Sequence, residues 1–315
     1  MSRTIKRREF FKDSAKIGLA FAAGCATPFR LAGGPEDPAA GAADMIAVVT
    51  GDDFGACAVK AVGLLGGMKL FVPKGSKVAL LPNVQSSHPG TFTKPEILRA
   101  VVRMCKEAGA AEVNCLSVQP QKAWDDTGLA RVLQEEGAGL KLFAKDEANF
   151  EAVPIPGGKA LKEARILKEF FAHDVLINMP ITKDHAGNRF TGTMKNLMGL
   201  NSPVSNRTFH RPNWKTDPAD LEHLDQSIVD LNTVVKPALN IVDAAEFIVS
   251  NGPFGPGELL KPRKVVAGTD RVAIDAYCCT LWGLRGEDIV MIKRGAEQGL
   301  GTMDLAKVKI VEAAL

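Results

Sequence analysis

Two lysines, a histidine and an asparagine stand close together in INMPITKDHAGNRFTGTMKNLMG, residues 177–199. Lys183 and His185 lie two positions apart just beyond an apolar run, so both can project to one side if that run is a buried strand. A lysine ammonium beside a histidine that ionises near neutrality can bind an anion, and a neutral imidazole can also bind a metal ion. We therefore predict that His185 and Lys183 are catalytic, with an exposed loop lysine and histidine as the alternative.

The second half of this segment, TGTMKNLMG, has the pattern of a helix start with Thr191 or Thr193 as the N-cap. Lys195 then falls in the first helical turn, where the helix dipole disfavours a cation and a bound anion would reverse the penalty. Free backbone N–H groups, the Lys195 ammonium and the Asn196 amide would together form a cradle for a phosphate or a carboxylate. The sequence thus predicts that Lys195 and Asn196 bind a small anionic ligand.

Other polar residues stand where apolar runs end. Asn83 follows KVALLP and Asp243 ends LNIV, and open α/β sheets bind ligands beyond the carboxyl ends of their strands. We predict that both bind the ligand, although Asn83 could instead be a turn asparagine that bonds its own backbone. Asp275 lies among apolar neighbours in GTDRVAIDA and needs a partner for a buried carboxylate, for which Lys183 or Lys195 is a candidate. Asp275 is therefore the third predicted catalytic residue.

His210 lies in a segment without periodicity, residues 199–217, that is rich in Asn, Pro and Arg. Structureless loops longer than about 12 residues are usually functional or mobile. We predict that His210 binds the ligand as this segment closes over the site. A peripheral loop or an oligomer contact is the alternative.

The elements that must position these residues follow an alternating pattern. Short apolar segments such as IAVVTG, KVALLPN, AEVNCLS and LKLFAK are separated by amphipathic stretches, among them KPEILRAVVRMCKEAG and DTGLARVLQEEG. A second half after VPIPGG begins with a predicted helix over 160–171 and continues with the strand HDVLINMPI. The pattern predicts an α/β fold with mixed, mostly parallel sheets, βαβ crossovers and two fused α/β halves, 45–157 and 158–315.

Residues 1–44 differ from the rest and are predicted to be an export signal and linker. Arg7 and Arg8 precede an apolar segment, 17–29, that is too short to span a bilayer and resembles the twin-arginine signal of bacteria. Cleavage near 40–43 would give a periplasmic protein, whereas lipidation at Cys25 is an alternative. Twin-arginine export machinery is accordingly an expected partner, and no transmembrane helix is expected in the mature chain.

Composition excludes several function classes. Residues 1–30 hold seven Lys or Arg and two acidic residues, so their removal changes the formal charge of the chain from +3 to −2 and weakens the case for nucleic-acid binding. Cys57, Cys105, Cys115, Cys278 and Cys279 remain, a number and spacing that match no disulfide framework and no iron–sulfur or zinc pattern. We expect most of them to be buried as small apolar residues.

Several motifs, in order, resemble the DUF362 family of uncharacterised bacterial and archaeal proteins. They are LPN, TKPEILRAVVRMCKEAGA, DVLINMPITKDH, TGTMKNLMG, IVDAAEFIVSNGPFGPG and AGTDRVAIDAY, and they cover roughly 46–286. Similar members often carry twin-arginine signals. Many relatives have a lysine where Leu81 stands and some append a cysteine-rich ferredoxin segment; this chain has neither. The resemblance implies no reaction, and a more remote likeness to the lactate racemases, which use Lys and His around a nickel cofactor, rests on residue types alone.

Two functions follow from these residues. The first is an exported enzyme in which Lys183 and Lys195 hold a small anion, His185 acts as general acid or base, and Asp243 or Asp275 orients a lysine or a metal ion. The second is a noncatalytic periplasmic binding or redox-accessory protein that uses the same anion cradle. The cofactor is unknown, with a metal ion as one candidate.

Overall fold

The computed structural model describes residues 45–315. The expected export signal, its arginine pair and Cys25 lie outside the described residues. The strands are β1 Met45–Thr50, β2 Lys77–Pro82, β3 Glu112–Ser117, β4 Gly139–Leu142, β5 Phe150–Pro154, β6 Glu163–Leu167, β7 Val175–Met179, β8 Leu239–Ala244, β9 Phe247–Ile248, β10 Leu259–Leu260, β11 Lys264–Gly268 and β12 Lys309–Ala314. The helices are α1 Phe54–Leu64, α2 Pro95–Glu107, α3 Gln121–Asp126, α4 Leu129–Glu135, α5 Thr193–Asn196, α6 Pro203–His210, α7 Pro218–Val234, α8 Arg271–Thr280 and α9 Val290–Glu297.

Eight strands form one sheet in the order β12-β1-β11-β8-β7-β2-β3-β4. The segment β8-β7-β2-β3-β4 is parallel throughout, whereas β11 runs antiparallel to both of its neighbours. The predicted α/β class with a mostly parallel sheet is therefore confirmed. The sheet takes strands from both sides of the expected boundary at residue 157, so it is continuous across the two predicted halves.

The sheet is buried on both faces because successive strand residues point to opposite sides. Ala47 and Val49 of β1 pack with helices α1, α2 and α4 on one face. Ile46 and Val48 pack with helices α7, α8 and α9 on the other. Three layers result, and the near-continuous apolar runs that predicted the strands reflect this burial on two sides.

One predicted element is wrong. The helix expected over 160–171 is replaced by strand β6, followed by a 3₁₀ helix over Lys168–Ala172. Strand β6 pairs with β5 in an antiparallel hairpin, in which Ala164 and Ile166 are buried. The alternating burial of β6 has a period of two, and the turn around VPIPGG connects the two strands, so pairing with β5 overrides the local helical propensity.

The segment 199–217 also differs from its prediction. Helix α6 occupies its first part, beginning after Ser202, whose hydroxyl accepts a hydrogen bond from the Ser205 backbone N–H at 3.1 Å. Pro203 stands at the first helical position, where a proline ring fits without loss of a hydrogen bond. His210 is thereby fixed at the end of a helix.

Within the described residues no helix combines the length and the apolar character that crossing a membrane requires.

Candidate functional site

A cavity of about 340 Å³ lies beyond the carboxyl ends of β2 and β3. The loop between β7 and α5, together with α5 and α6, forms its other walls. Five predicted site residues line it: Asn83, His185, Lys195, Asn196 and His210. The strand ends thus meet at one edge of the sheet, as the parallel topology requires.

Lys183 lies behind this cavity and does not line it. Its ammonium group donates hydrogen bonds to the Thr91 carbonyl at 2.7 Å, to Asn83 Oδ1 at 3.1 Å and to Gln85 Oε1 at 3.4 Å. Three acceptors use all three of its N–H bonds. Burial, and then the nearby Lys195, lower the pKa of Lys183 to about 7. These hydrogen bonds indicate that Lys183 holds Asn83 in place. They do not support the predicted direct contact between Lys183 and an anion.

Asp275 occupies the anion cradle that the sequence predicted at the start of α5. Its carboxylate accepts hydrogen bonds from the backbone N–H groups of Thr193 at 2.6 Å and Met194 at 3.1 Å. The prediction that these N–H groups are free for a ligand is therefore wrong. Neither Thr191 nor Thr193 is the N-cap, since Gly192 stands there without a side-chain cap.

A glycine is required at position 192 because the Asp275 carboxylate approaches the backbone closely there. A Cβ atom at Gly192 would lie 2.3 Å from Asp275 Oδ1. Burial raises the pKa of Asp275 to about 7, against the opposing effect of the two backbone donors. Asp275 thus holds α5 in place without reaching the cavity.

Asp243 has a comparable structural position. It is buried, accepts hydrogen bonds from the backbone N–H groups of Lys94 at 2.8 Å and Ala245 at 3.0 Å, and lies 3.6 Å from the Lys94 ammonium. Burial raises its pKa. Asp243 fixes the segment before α2 and, like Asp275, does not line the cavity.

A chain of four asparagines connects the residue after β2 with helix α5 and with strands β7 and β8. Asn83 Nδ2 donates to Asn196 Oδ1 at 3.0 Å, Asn196 Nδ2 to Asn178 Oδ1 at 2.8 Å, and Asn178 Nδ2 to Asn240 Oδ1 at 3.0 Å. Lys183 closes one end by donating to Asn83 Oδ1. Because each amide both donates and accepts, the chain fixes the orientation of every amide in it.

Lys195 differs from these asparagines in its hydrogen bonding. The side chain is buried and lines the cavity, and its Nζ atom has no hydrogen-bond partner among the described residues. Burial lowers the pKa of Lys195 to about 8, opposed by the carboxylate of Asp225. The group is therefore mainly protonated at neutral pH. A buried ammonium without a partner is costly, and an anion in the cavity would supply one.

Both histidines of the cavity are held as neutral bases. Nδ1 of His185 lies 2.7 Å from the Ala186 carbonyl and Nδ1 of His210 lies 2.7 Å from the Asn206 carbonyl. A carbonyl only accepts, so each Nδ1 carries the hydrogen and each Nε2 has a free lone pair. Burial, and then Lys195, hold the pKa of His185 well below its usual range and lower that of His210 to about 4.

An aromatic wall fixes the two imidazoles. The Trp214 ring centroid lies 5.2 Å from that of His185 and 4.8 Å from that of His210, and the two imidazole centroids are 6.1 Å apart. Helix α6 places His210 of the 199–217 segment in the cavity lining, and its contact with a ligand stays a prediction. Arg211 lies elsewhere, 3.7 Å from Asp220.

The side chains that line the cavity are poor ligands for a protein-bound metal ion. Across residues 45–315 no group of three or more His, Cys, Asp or Glu side chains is placed to hold one, and zinc sites use three or four protein ligands. Two imidazole Nε2 atoms beside a positively charged Lys195 do not fit such an ion. The five cysteines of the described residues are buried and free, which confirms their expected packing role.

Sequence reasoning missed several contributors to the site. Asn178 lies in the apolar strand β7, where a buried amide is itself a signal of a polar network. Asp225 in α7 accepts hydrogen bonds from Asn188 at 2.9 Å and from the Met291 backbone at 3.2 Å, and burial raises its pKa to about 6. Asp225 stands among other charged residues of its helix, and no local sequence pattern distinguishes it from them.

Comparisons with known proteins match the part of the chain that carries these site residues. The family model described as a domain of unknown function, DUF362, matches residues 78–280. A thylakoid-associated protein from Synechocystis sp. is 29% identical over 220 residues, which are 67% of this chain and 64% of that protein. The match therefore spans less than two thirds of the relative.

Among solved structures, the lactate racemase apoprotein from Thermoanaerobacterium thermosaccharolyticum is similar with a TM-score of 0.45 and 14% identity. The similarity covers 84% of this chain and 58% of that one. At this score and identity it carries no argument about activity.

The two lysines should respond oppositely to replacement by methionine. Lys195→Met removes an ammonium without a partner and should raise the free energy of unfolding by about 1–3 kcal/mol at pH 7. Lys183→Met leaves two buried acceptors, Asn83 Oδ1 and the Thr91 carbonyl, without this donor and should lower it by about 2–4 kcal/mol. Urea denaturation measures both, and destabilisation by Lys195→Met would show that its ammonium has a stabilising partner.

Proposed function

The chain belongs to the DUF362 family, and on that premise we propose that it is an enzyme that binds a small anionic ligand, a carboxylate or a phosphate, in the cavity beside Lys195. One observation carries the proposal: the Lys195 side chain lines the cavity, and its buried ammonium has no hydrogen-bond partner among the described residues. No carboxylate side chain is among the described residues that line the cavity. The anion would supply the missing partner.

The other residues of the cavity suit catalysis as well as binding. His185 presents a neutral Nε2 atom whose tautomer is fixed by its bond to Ala186, so it can accept a proton from the ligand as a general base. His210 presents a second lone pair from α6.

Asn83 is oriented by the asparagine chain and has one Nδ2 hydrogen left, which we propose it donates to the ligand. Asn196 donates both Nδ2 hydrogens inside the protein, to the Leu81 carbonyl at 2.9 Å and to Asn178 Oδ1 at 2.8 Å. Its predicted contact with an anion is therefore replaced by a role in holding Asn83.

Lys183, Asp243 and Asp275 act in this proposal through other residues. Lys183 holds Asn83, while Asp275 holds the start of α5 from which Lys195 projects. Asp243 fixes the chain that leads into α2. Their removal would therefore loosen the site, and none of them needs to touch the ligand.

A noncatalytic binding or redox-accessory protein is the second candidate. The low pKa of His185 favours it, because a base that stays neutral to low pH takes up a proton weakly. The enzyme and the binder share Lys195 and differ in whether His185 transfers a proton.

We further propose that the protein acts outside the cytoplasm after twin-arginine export. The support is in the sequence: Arg7 and Arg8 precede the apolar segment 17–29. Because this pathway moves folded proteins, the buried site would form before export.

Anion affinity should fall at alkaline pH. The ammonium form of Lys195 binds the anion and the neutral amine does not, so affinity should decrease about tenfold per pH unit above the Lys195 pKa of about 8. Calorimetric titration with butyrate, whose charge is constant from pH 7 to 10, measures this loss.

Lys195→Gln should bind weakly and without this pH dependence. Asp225, His185, His210 and Lys183 also lie near Lys195, and of these Lys183 has a pKa of about 7. A loss of affinity centred near pH 7 would assign the titration to Lys183 instead.

His185→Gln should separate catalysis from binding. The glutamine keeps a polar side chain but has no basic nitrogen, so turnover should fall about 10²- to 10⁴-fold while the ligand's dissociation constant changes less than about threefold. Solvent deuterium exchange into a bound carboxylate, followed by NMR, reports proton transfer.

The matched control is His88→Gln, an exposed histidine outside the cavity lining. Full exchange in His185→Gln would exclude it as the base. Binding without exchange or turnover in the unaltered protein would favour the noncatalytic candidate.

Export should depend on the arginine pair. Conservative replacement in the full chain, Arg7→Lys with Arg8→Lys, should leave the protein in the cytoplasmic fraction because twin-arginine signals depend on the arginine side chains. Cell fractionation with immunoblotting measures the distribution. Unchanged periplasmic accumulation of the double variant would contradict this route.

A further inference from the structure

The cavity has a second group of cations at its mouth. Lys145, in the loop after β4, and Arg207, on α6, both line the cavity and are exposed. Neither forms an ion pair or a side-chain hydrogen bond with a described residue. By contrast, Arg211 on the same side of the fold lies 3.7 Å from Asp220.

The position of these cations differs from that of Lys195. Lys195 projects from α5, whose Asn196 is bonded to Asn83 at the end of β2. Lys145 follows β4, two strands away from β2 in the sheet. Two strand spacings amount to about 10 Å, so Lys145 and Lys195 stand at different strand ends along the cavity. Arg207 on α6 is separated from Lys195 by its exposure, since Lys195 is buried.

The cavity offers these cations no acidic partner of its own. Its lining includes Lys145, Lys195 and Arg207 but no Asp or Glu among the described residues. Asp225 lies near Lys195 without lining the cavity and forms no hydrogen bond with its ammonium, so its effect is limited to raising the pKa of Lys195. A ligand with a single anionic group would therefore satisfy Lys195 and leave the mouth uncompensated.

We propose that the ligand is an extended anion with two separated acidic groups, one held by Lys195 and the second by Lys145 and Arg207. Carboxylate and phosphate are equivalent in this argument, and the chemical class is a dicarboxylate or a phosphorylated carboxylate. This inference rests on the proposed function, since it names the ligand class of the same cavity. Arg207 can bind an anionic oxygen pair through its planar guanidinium, whereas Lys145 acts as a point charge.

The two cation groups also differ in how salt affects them. Exposed charges are screened within about 8–10 Å at ordinary ionic strength, whereas a buried charge is screened much less. Binding of the second acidic group at the mouth should therefore weaken with added salt. Binding of the first group at Lys195 should change little.

The test compares matched probes by calorimetric titration at pH 7. Succinate, glutarate and adipate are paired with butyrate, pentanoate and hexanoate, and phosphoglycolate is paired with methyl phosphate. In the unaltered protein at least one two-ended probe should bind about tenfold or more tighter than its partner. The double variant Lys145→Gln with Arg207→Gln should lose about 3- to 10-fold of that preference, together with its salt dependence.

A second double variant controls for the change in net charge. Lys60→Gln with Arg131→Gln removes two exposed cations from α1 and α4, outside the cavity lining. It should keep the full preference. Binding of single-ended probes should stay within about twofold in both double variants, because Lys195 is intact.

The outcomes separate this inference from the proposed function. Single-ended probes that bind through Lys195 with no advantage for two-ended probes would overturn the inference and leave the proposed function standing. A preference that persists in Lys145→Gln with Arg207→Gln would also overturn it. If no probe binds, or if Lys195→Met binds every probe as well as the unaltered protein, both proposals fail.

Discussion

The site depends on the rule that a buried polar group must have a hydrogen-bond partner. Asn83 just after β2, Asn178 in β7 and Asn240 at the start of β8 bring amides into an apolar sheet, where each unpaired amide would be costly. The chain Asn83–Asn196–Asn178–Asn240 satisfies this requirement, and Lys183 completes it at one end. Because every amide has a fixed orientation, the floor of the cavity is rigid before any ligand arrives.

The same rule explains why Lys195 is a candidate ligand-binding residue. It lies one residue before Asn196, yet the described residues provide no hydrogen-bond partner for its ammonium, nor for the hydroxyl of Thr191, which lines the same cavity. The fold thus carries a buried charge that no hydrogen bond from the described residues stabilises. Such unrelieved cost is typical of functional sites, where binding energy is gained when the ligand supplies the missing interaction.

The arrangement around Lys195 explains why the two histidines stay neutral. A positive charge in a buried cavity disfavours a second one, so burial and Lys195 together lower the pKa of both imidazoles. Their Nδ1 hydrogens are held by backbone carbonyls, so the Nε2 atom of each cavity-lining histidine keeps its lone pair. The site therefore combines one anion anchor with two acceptors, a combination that can recognise an anion and also accept its proton.

The sequence by itself determined the α/β class, most strands and helices, and five residues that line the cavity, because these follow from local periodicity and from polar residues at strand ends. It could not show that Lys183 is paired and Lys195 is not, since both are lysines after the same strand. Only the tertiary structure decided this, by placing Thr91 and Gln85 beside one of them. The Asp275 contact with α5, the β5–β6 hairpin and the position of Lys145 at the cavity mouth depend equally on residues distant in the chain, which no local pattern encodes.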